Sequence, residues 1–194
     1  VTPAVPRPLL IDRFAPRADF GRTSHVLVDA DPDTAYRAVR DLDFGAVHGL
    51  VLDVALWLRA LPGFLRGRRP TRTTPHDVVP GTGWVPLGES PRAEVVFGAV
   101  GAFWQPVVHW RGVEVRDFVD FAEPGYAKVV CSLSVLPYGQ RRAVVTFETR
   151  ATLTDSRSWS RFRRYWRLVG PFTALLERAA LRSVKRQAER AAPR

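Results

Sequence analysis

A chain of 194 residues is long enough to bury one sizeable core and leaves a second independent core cramped, so one domain is expected. Hydrophobic residues at 46% and charged residues at 25% exclude a disordered or fibrous polypeptide. The net charge of +10 favours contact with phosphates, acidic lipids or acidic ligands without choosing among them, and a single cysteine, Cys131, excludes an internal disulfide.

Residues 1 to 21 read as a proline-punctuated arm, with Phe14 and Phe20 able to pack onto the domain that residues 22 to 194 are expected to form. The arm lacks the long apolar core of a secretory signal. The apolar segment Ala46 to Leu61 is interrupted by His48, Asp53 and Arg59 and is too short to span a bilayer comfortably, so a cytoplasmic location is expected. Arg22 to Asp29 alternates as a strand does. Asp31 followed by Pro32 marks a helix start: the Asp oxygen accepts from free backbone donors, and Pro at the first helical position has no N–H to leave unpaired. That helix should run to about Asp41, burying Ala35, Ala38, Val39 and Leu42. A second helix, His48 to Ala60, carries Leu50, Val54, Trp57 and Leu58 and stops at Pro62 and Gly63. Residues 62 to 91 then read as a long proline-rich connection with a basic cluster at Arg66, Arg68, Arg69 and Arg72; connections of that length often serve as lids.

After Arg92 the pattern becomes that of antiparallel strands. Ala93 to Trp104 is apolar on both faces, and Gly98 and Gly101 permit a bend or a close backbone approach. Val107 to Phe121 alternates after Gly112, Tyr126 to Leu136 places Val129, Cys131, Leu133 and Val135 on one face, and Arg142 to Leu153 places Ala143, Val145, Phe147, Ala151 and Leu153 on one face. From Ser158 to Arg190, Trp159, Phe162, Trp166, Val169, Phe172, Leu176, Ala180 and Val184 recur at steps of three and four, the period of one helix face. Asp155 or Ser158 can cap this long helix, and Pro171 should kink it. Arg163, Arg164, Arg167, Arg178, Arg182 and Arg186 fall mostly off the apolar stripe, on what should be the wet side.

The fold class is therefore α+β: an antiparallel sheet wrapped around a long C-terminal helix, with two short helices after the first strand. The first strand leading into Asp29-Ala-Asp-Pro-Asp-Thr-Ala-Tyr36, the hairpins and the closing helix resemble the START/Bet v 1-like superfamily, also described as SRPBCC or polyketide cyclase-like, over roughly residues 22 to 190. The resemblance implies a helix-grip fold and a cavity between sheet and long helix that holds an apolar or aromatic small molecule. Fold alone does not choose between its lipid carriers, hormone receptors and aromatase/cyclases.

The residues expected to line such a cavity are Trp57, Phe97, Phe103, Trp110, Val115, Cys131, Leu133, Phe147, Phe162 and Trp166, with Tyr165 and Phe172 nearby and the stretch Phe162 to Val169 as the roof. His109 and Arg111 share a strand face and, with Glu114, are candidates for an acid/base set of a cyclase or dehydratase, provided that they point inward. Cys131, inside an apolar alternation, reads as a buried inert thiol. The histidines His25, His48, His76 and His109 are scattered without metal-ligand spacing, and no Gly-x-Ser-x-Gly elbow, Walker loop or Gly-x-Gly-x-x-Gly is present, so no metal or nucleotide cofactor is expected. Binding of an apolar or aromatic small molecule is the first expectation and a cyclase or dehydratase the second. The third is a basic module for nucleic acid or anionic membrane, carried by the arginines of the long helix.

Overall fold

The computed structural model describes residues 8–43 and 83–192. The elements in chain order are α1 (Leu10–Phe14), β1 (Phe20–Val28), α2 (Pro32–Arg40), β2 (Trp84–Ser90), β3 (Glu94–Ala102), β4 (His109–Arg111), a 3-10 turn (Val115–Asp117), β5 (Ala127–Tyr138), β6 (Arg142–Leu153) and α3 (Ser156–Ala191). The expected second helix with Trp57 and His48, and the basic stretch containing Arg66 to Arg72 and His76, lie outside the described residues.

The strands form one open, antiparallel, six-stranded sheet in the order β1-β6-β5-β3-β2, with β4 also paired to β3. The α2 start follows the chemistry of its first residues: the Asp31 carboxylate accepts from the Thr34 amide at 2.9 Å and the Thr34 hydroxyl at 2.7 Å, and Pro32 opens the helix. The α3 start is Asp155, which accepts from the Ser158 amide at 2.8 Å, the Ser158 hydroxyl at 2.6 Å and the Gly125 amide at 2.7 Å. One carboxylate thus caps the helix and ties it to the turn before β5.

Strand alternation sends side chains to two covered faces. On the inner face Val95, Ala99, Val129, Leu133, Val145, Phe147 and Ala151 pack with Phe162, Ala180, Leu181 and Val184 of α3 and with Ala35 and Val39 of α2. On the outer face Val96, Val100 and Val130 pack with Ile11 and Phe14 of α1 and with Phe118. Gly98 makes the outer packing close: a Cβ there would sit 2.7 Å from Leu87 and 2.8 Å from Phe118. The buried Glu94 clasps α1 to the sheet, accepting from the Leu10 amide at 2.5 Å, the Ile11 amide at 3.2 Å and the Ser132 hydroxyl at 2.6 Å.

Three expectations need correction. The alternation from Val107 to Phe121 is not one strand: only His109–Arg111 pairs, and it pairs with Val100, Gly101 and Ala102. Strand β2, which the proline-rich composition concealed, already occupies the same β3 edge from Glu94 to Ala99, so no longer ladder is available there. The buried stripe of α3 runs through Phe162, Gly170, Ala174, Glu177, Ala180, Leu181, Val184 and Ala188, leaving Phe172 43% exposed. Pro171 lies inside α3, which spans Ser156–Ala191, and leaves the Arg167 carbonyl without its usual backbone donor. No helix among the described residues is long and apolar enough to cross a membrane.

Candidate functional site

The register places one row of inward side chains directly across the sheet under α3. Arg22 of β1 faces Thr149 of β6, Thr149 faces Cys131 of β5, and Cys131 faces Phe97 of β3. The row on one side is Phe20, Ala151, Val129, Ala99 and Trp84, and the row on the other is Ser24, Phe147, Leu133 and Val95. A polar row therefore crosses the middle of an otherwise apolar inner face.

Glu177 of α3 closes this row from above. It is 0% exposed, accepting from the Ser24 hydroxyl at 2.8 Å and the Thr149 hydroxyl at 2.9 Å. Burial raises its pKa above the ordinary carboxylate value, while those hydroxyls and the Arg22 charge partly oppose the shift. Thr149 has one hydroxyl proton and gives it to Glu177, so Cys131, 3.7 Å from the Thr149 oxygen, is the donor in that contact. Burial pushes the Cys131 thiol up to about 12, which keeps it protonated and unreactive.

Arg22 carries the unsatisfied group. Its Nε is buried and has no hydrogen-bond partner. An added Cβ at Gly170 would come within 3.8 Å of both the Arg22 guanidinium and the Trp166 indole nitrogen, so this glycine helps to seat the guanidinium against α3. A buried donor left unpaired costs free energy on the order of 1–3 kcal/mol, and such a donor ordinarily meets water or a ligand atom.

Aromatic side chains that are only partly buried surround the row. Trp84 lies 5.6 Å from Phe97 between ring centres, Trp104 meets Phe162 edge-on at 6.4 Å, and Trp166 stacks on Phe162 at 5.7 Å. The combination offers flat apolar walls, a donor without a partner and a buried carboxyl whose pKa is raised by burial.

Of the residues expected to line the site, Phe97, Cys131, Leu133 and Phe147 lie on the inner sheet face, and Phe162 and Trp166 come to it from α3. Phe103 is buried at the end of β3, where it meets Trp110 edge-on. Trp110 itself is 39% exposed at the sheet edge, and Val115 is 41% exposed on the 3-10 turn. Neither belongs to the row, and Trp57 lies outside the described residues. His109, Arg111 and Glu114 do not point inward: all three are exposed, Arg111 pairing with Glu123 at 2.9 Å and Glu114 with Arg116 at 2.9 Å. The three side chains therefore do not form the expected inward acid/base set, because the segment leaves the sheet after three paired residues.

Arg22, Ser24, Thr149 and Glu177 were not singled out by the sequence. The signal was present as interruptions: Thr149 stands in the apolar phase between Phe147 and Ala151, and Glu177 stands in the buried phase of α3. Among the described residues no group of three or more His, Cys, Asp and Glu side chains can hold a metal ion. An open depression of about 500 Å3 follows the last turns of α3, lined by Ser183, Arg186, Gln187, Arg190 and Ala191, none of which belongs to the polar row.

No protein-family model matches the chain, and no curated protein sequence matches it. Among solved structures it is similar to a truncated norcoclaurine synthase from Thalictrum flavum, with 13% identity, coverage of 86% of this chain and 91% of that one, and a TM-score of 0.42. It is also similar to the Zhui aromatase/cyclase from Streptomyces sp. R1128, with 12% identity, coverage of 88% and 94%, and a TM-score of 0.31. The architecture itself rests on the chain's own elements: an open antiparallel sheet, a short helix after the first strand and a 36-residue helix laid along the inner face. The chain accordingly has an α+β helix-grip architecture, an antiparallel sheet closed on its inner face by one long C-terminal helix.

Proposed function

We propose that the chain binds an apolar or aromatic small molecule between the inner sheet face and α3, with an acceptor atom of that molecule on Arg22. The observation that carries this reading is the buried, unpartnered Nε of Arg22 in a polar row beneath α3. The partly buried Trp84, Phe97, Trp104 and Trp166 support an apolar or flat body for the ligand. Burial of those rings supplies affinity, and the charged donor selects orientation.

Native mass spectrometry of the purified protein and titration with two dyes test the reading. An anilinonaphthalene sulfonate dye is anionic and aromatic, and Nile red is neutral. Both should bind saturably, with quenching of tryptophan fluorescence. Arg22→Gln should weaken the anionic dye roughly tenfold, the loss expected for one charge-assisted hydrogen bond, and leave Nile red within about twofold. Absence of saturable binding by either dye, together with no retained ligand in the mass spectrum, refutes the reading.

A cyclase or dehydratase reading now has one observation in its favour, the raised pKa of the buried Glu177. A carboxyl that burial makes hold its proton more tightly is better suited to act as a general acid than an exposed one. A molecule retained by the protein and released lighter by one water, with Glu177→Gln abolishing the change but not the binding, would support an enzyme over a carrier.

A further inference from the structure

The solvent face of α3 carries a second pattern, separate from the ligand reading. At steps of three and four residues it runs Arg157, Arg161, Arg164, Leu168, Pro171, Leu175, Arg178, Arg182 and Arg186, with Arg167 and Phe172 beside it. Leu168 is 73% exposed, Phe172 is 43% exposed, and Pro171 is also exposed. The arginines named are all exposed, and none of them is in an ion pair among the described residues. The helix has only two acidic residues, of which Glu177 is buried inside and Glu189 pairs with Lys185 at 2.7 Å. An apolar island spanning about 10 Å along the axis thus sits midway between two arginine blocks with no carboxylate among them.

We propose that this face of α3 docks on an anionic lipid bilayer, with Leu168, Pro171 and Phe172 entering the headgroup boundary and the flanking arginines meeting lipid phosphates. A helix lying in the plane of an interface needs this division, apolar side chains pressed into the acyl boundary and basic ones at phosphate level. Charge decides against a second copy of the chain as the occupant, because pairing two such faces would oppose arginine to arginine. The island decides against a nucleic-acid backbone, which would contact the arginines and leave Leu168 and Phe172 in water. Pro171 favours the assignment as well: it lies on the exposed side, where its ring adds apolar surface without removing a contact to the sheet.

The test is co-sedimentation with vesicles of phosphatidylcholine alone and of phosphatidylcholine with about one-third phosphatidylglycerol, using the full chain. Binding is expected to the mixed vesicles, weakening as salt rises, with at least tenfold less to the neutral ones. The double variant Leu168→Ser/Phe172→Ser should lose at least fivefold in partition, and Arg164→Gln/Arg178→Gln should lose a similar factor with a shallower salt dependence. Both pairs are solvent-facing, and circular dichroism melts matching the parent would show that the fold is kept. Equal binding to both vesicles, no binding to either, or an unchanged partition of the Leu168/Phe172 variant overturns the proposal. Binding to heparin or duplex DNA that is stronger than to vesicles and insensitive to that variant overturns it in favour of a polyanion. A concentration-dependent dimer that the same variant abolishes overturns it in favour of self-association.

Discussion

Glu177 concentrates the chemistry of the interior in one side chain. Its folded pKa lies above the ordinary carboxylate value of 4.5 because burial outweighs two hydroxyl donors and a nearby guanidinium. The folded state therefore holds this proton more tightly than the unfolded state does. The contribution of Glu177 to stability is fully present below the unfolded pKa and is lost as pH rises through the higher folded value. Glu177→Gln should remove that slope: in thermal melts from roughly pH 4 to 8 the variant should gain on the parent as pH rises and should not gain at the acid end. A parallel pair of melting curves would mean that Arg22 holds the carboxylate ionised throughout. Cys131 is the contrasting neighbour, a thiol whose expected inert burial agrees with its place against Thr149 and its pKa near 12. The sequence exposed these residues only as breaks in an apolar phase. A break says that a polar side chain is buried, but not which partner satisfies it, because Arg22, Thr149 and Glu177 come from three separate elements.

Local rules explain most of the elements. The Asp31-Pro32 start, the alternation of β5 and β6 and the long helix were legible because each depends on side chains within one turn or one strand. Asp155 is the residue on which the α3 start turns. Hydrogen bonds from Ser158 come first among the causes that hold its pKa at about 2, so its stabilisation is present above the ordinary carboxylate range and is lost as pH falls through that range toward 2. Asp155→Ala should cost about 1 kcal/mol by chemical denaturation near neutrality, a typical value for a lost cap, and the difference should shrink in acid. Segment 107–121 departs from its sequence pattern for the opposite reason. Its alternation is real, but Val113, Phe118, Val119 and Phe121 pack on the outer face from an irregular path, and a strand needs a free neighbour as well as a pattern.

At the scale of the whole molecule, the sheet is covered on both faces: α3 and α2 close the inner side, while α1 and the segment around Phe118 close the outer. The N-terminal arm is joined to this second core through Glu94, which satisfies two backbone donors at the start of α1. Glu94→Ala should detach α1, seen as faster amide exchange across Leu10–Phe14 and a stability loss of about 2 kcal/mol, because Leu10, Ile11 and Ser132 all lose an acceptor. Glu94→Gln, which keeps an acceptor oxygen, should lose less. Exchange unchanged in the alanine variant would show that Ile11 and Phe14 hold α1 by apolar packing alone. By itself the sequence determined the α+β class, the helix laid against strands and its wet arginine side, because hydrophobic period and capping chemistry act over a few neighbouring residues. Only the tertiary structure decided that β2 takes the edge that segment 107–121 would have used. It also decided that His109, Arg111 and Glu114 face water and that Arg22, Thr149 and Glu177 meet beneath α3. Those outcomes depend on which strand reaches an edge first and on which distant residues share a register, and neither quantity is local in the chain.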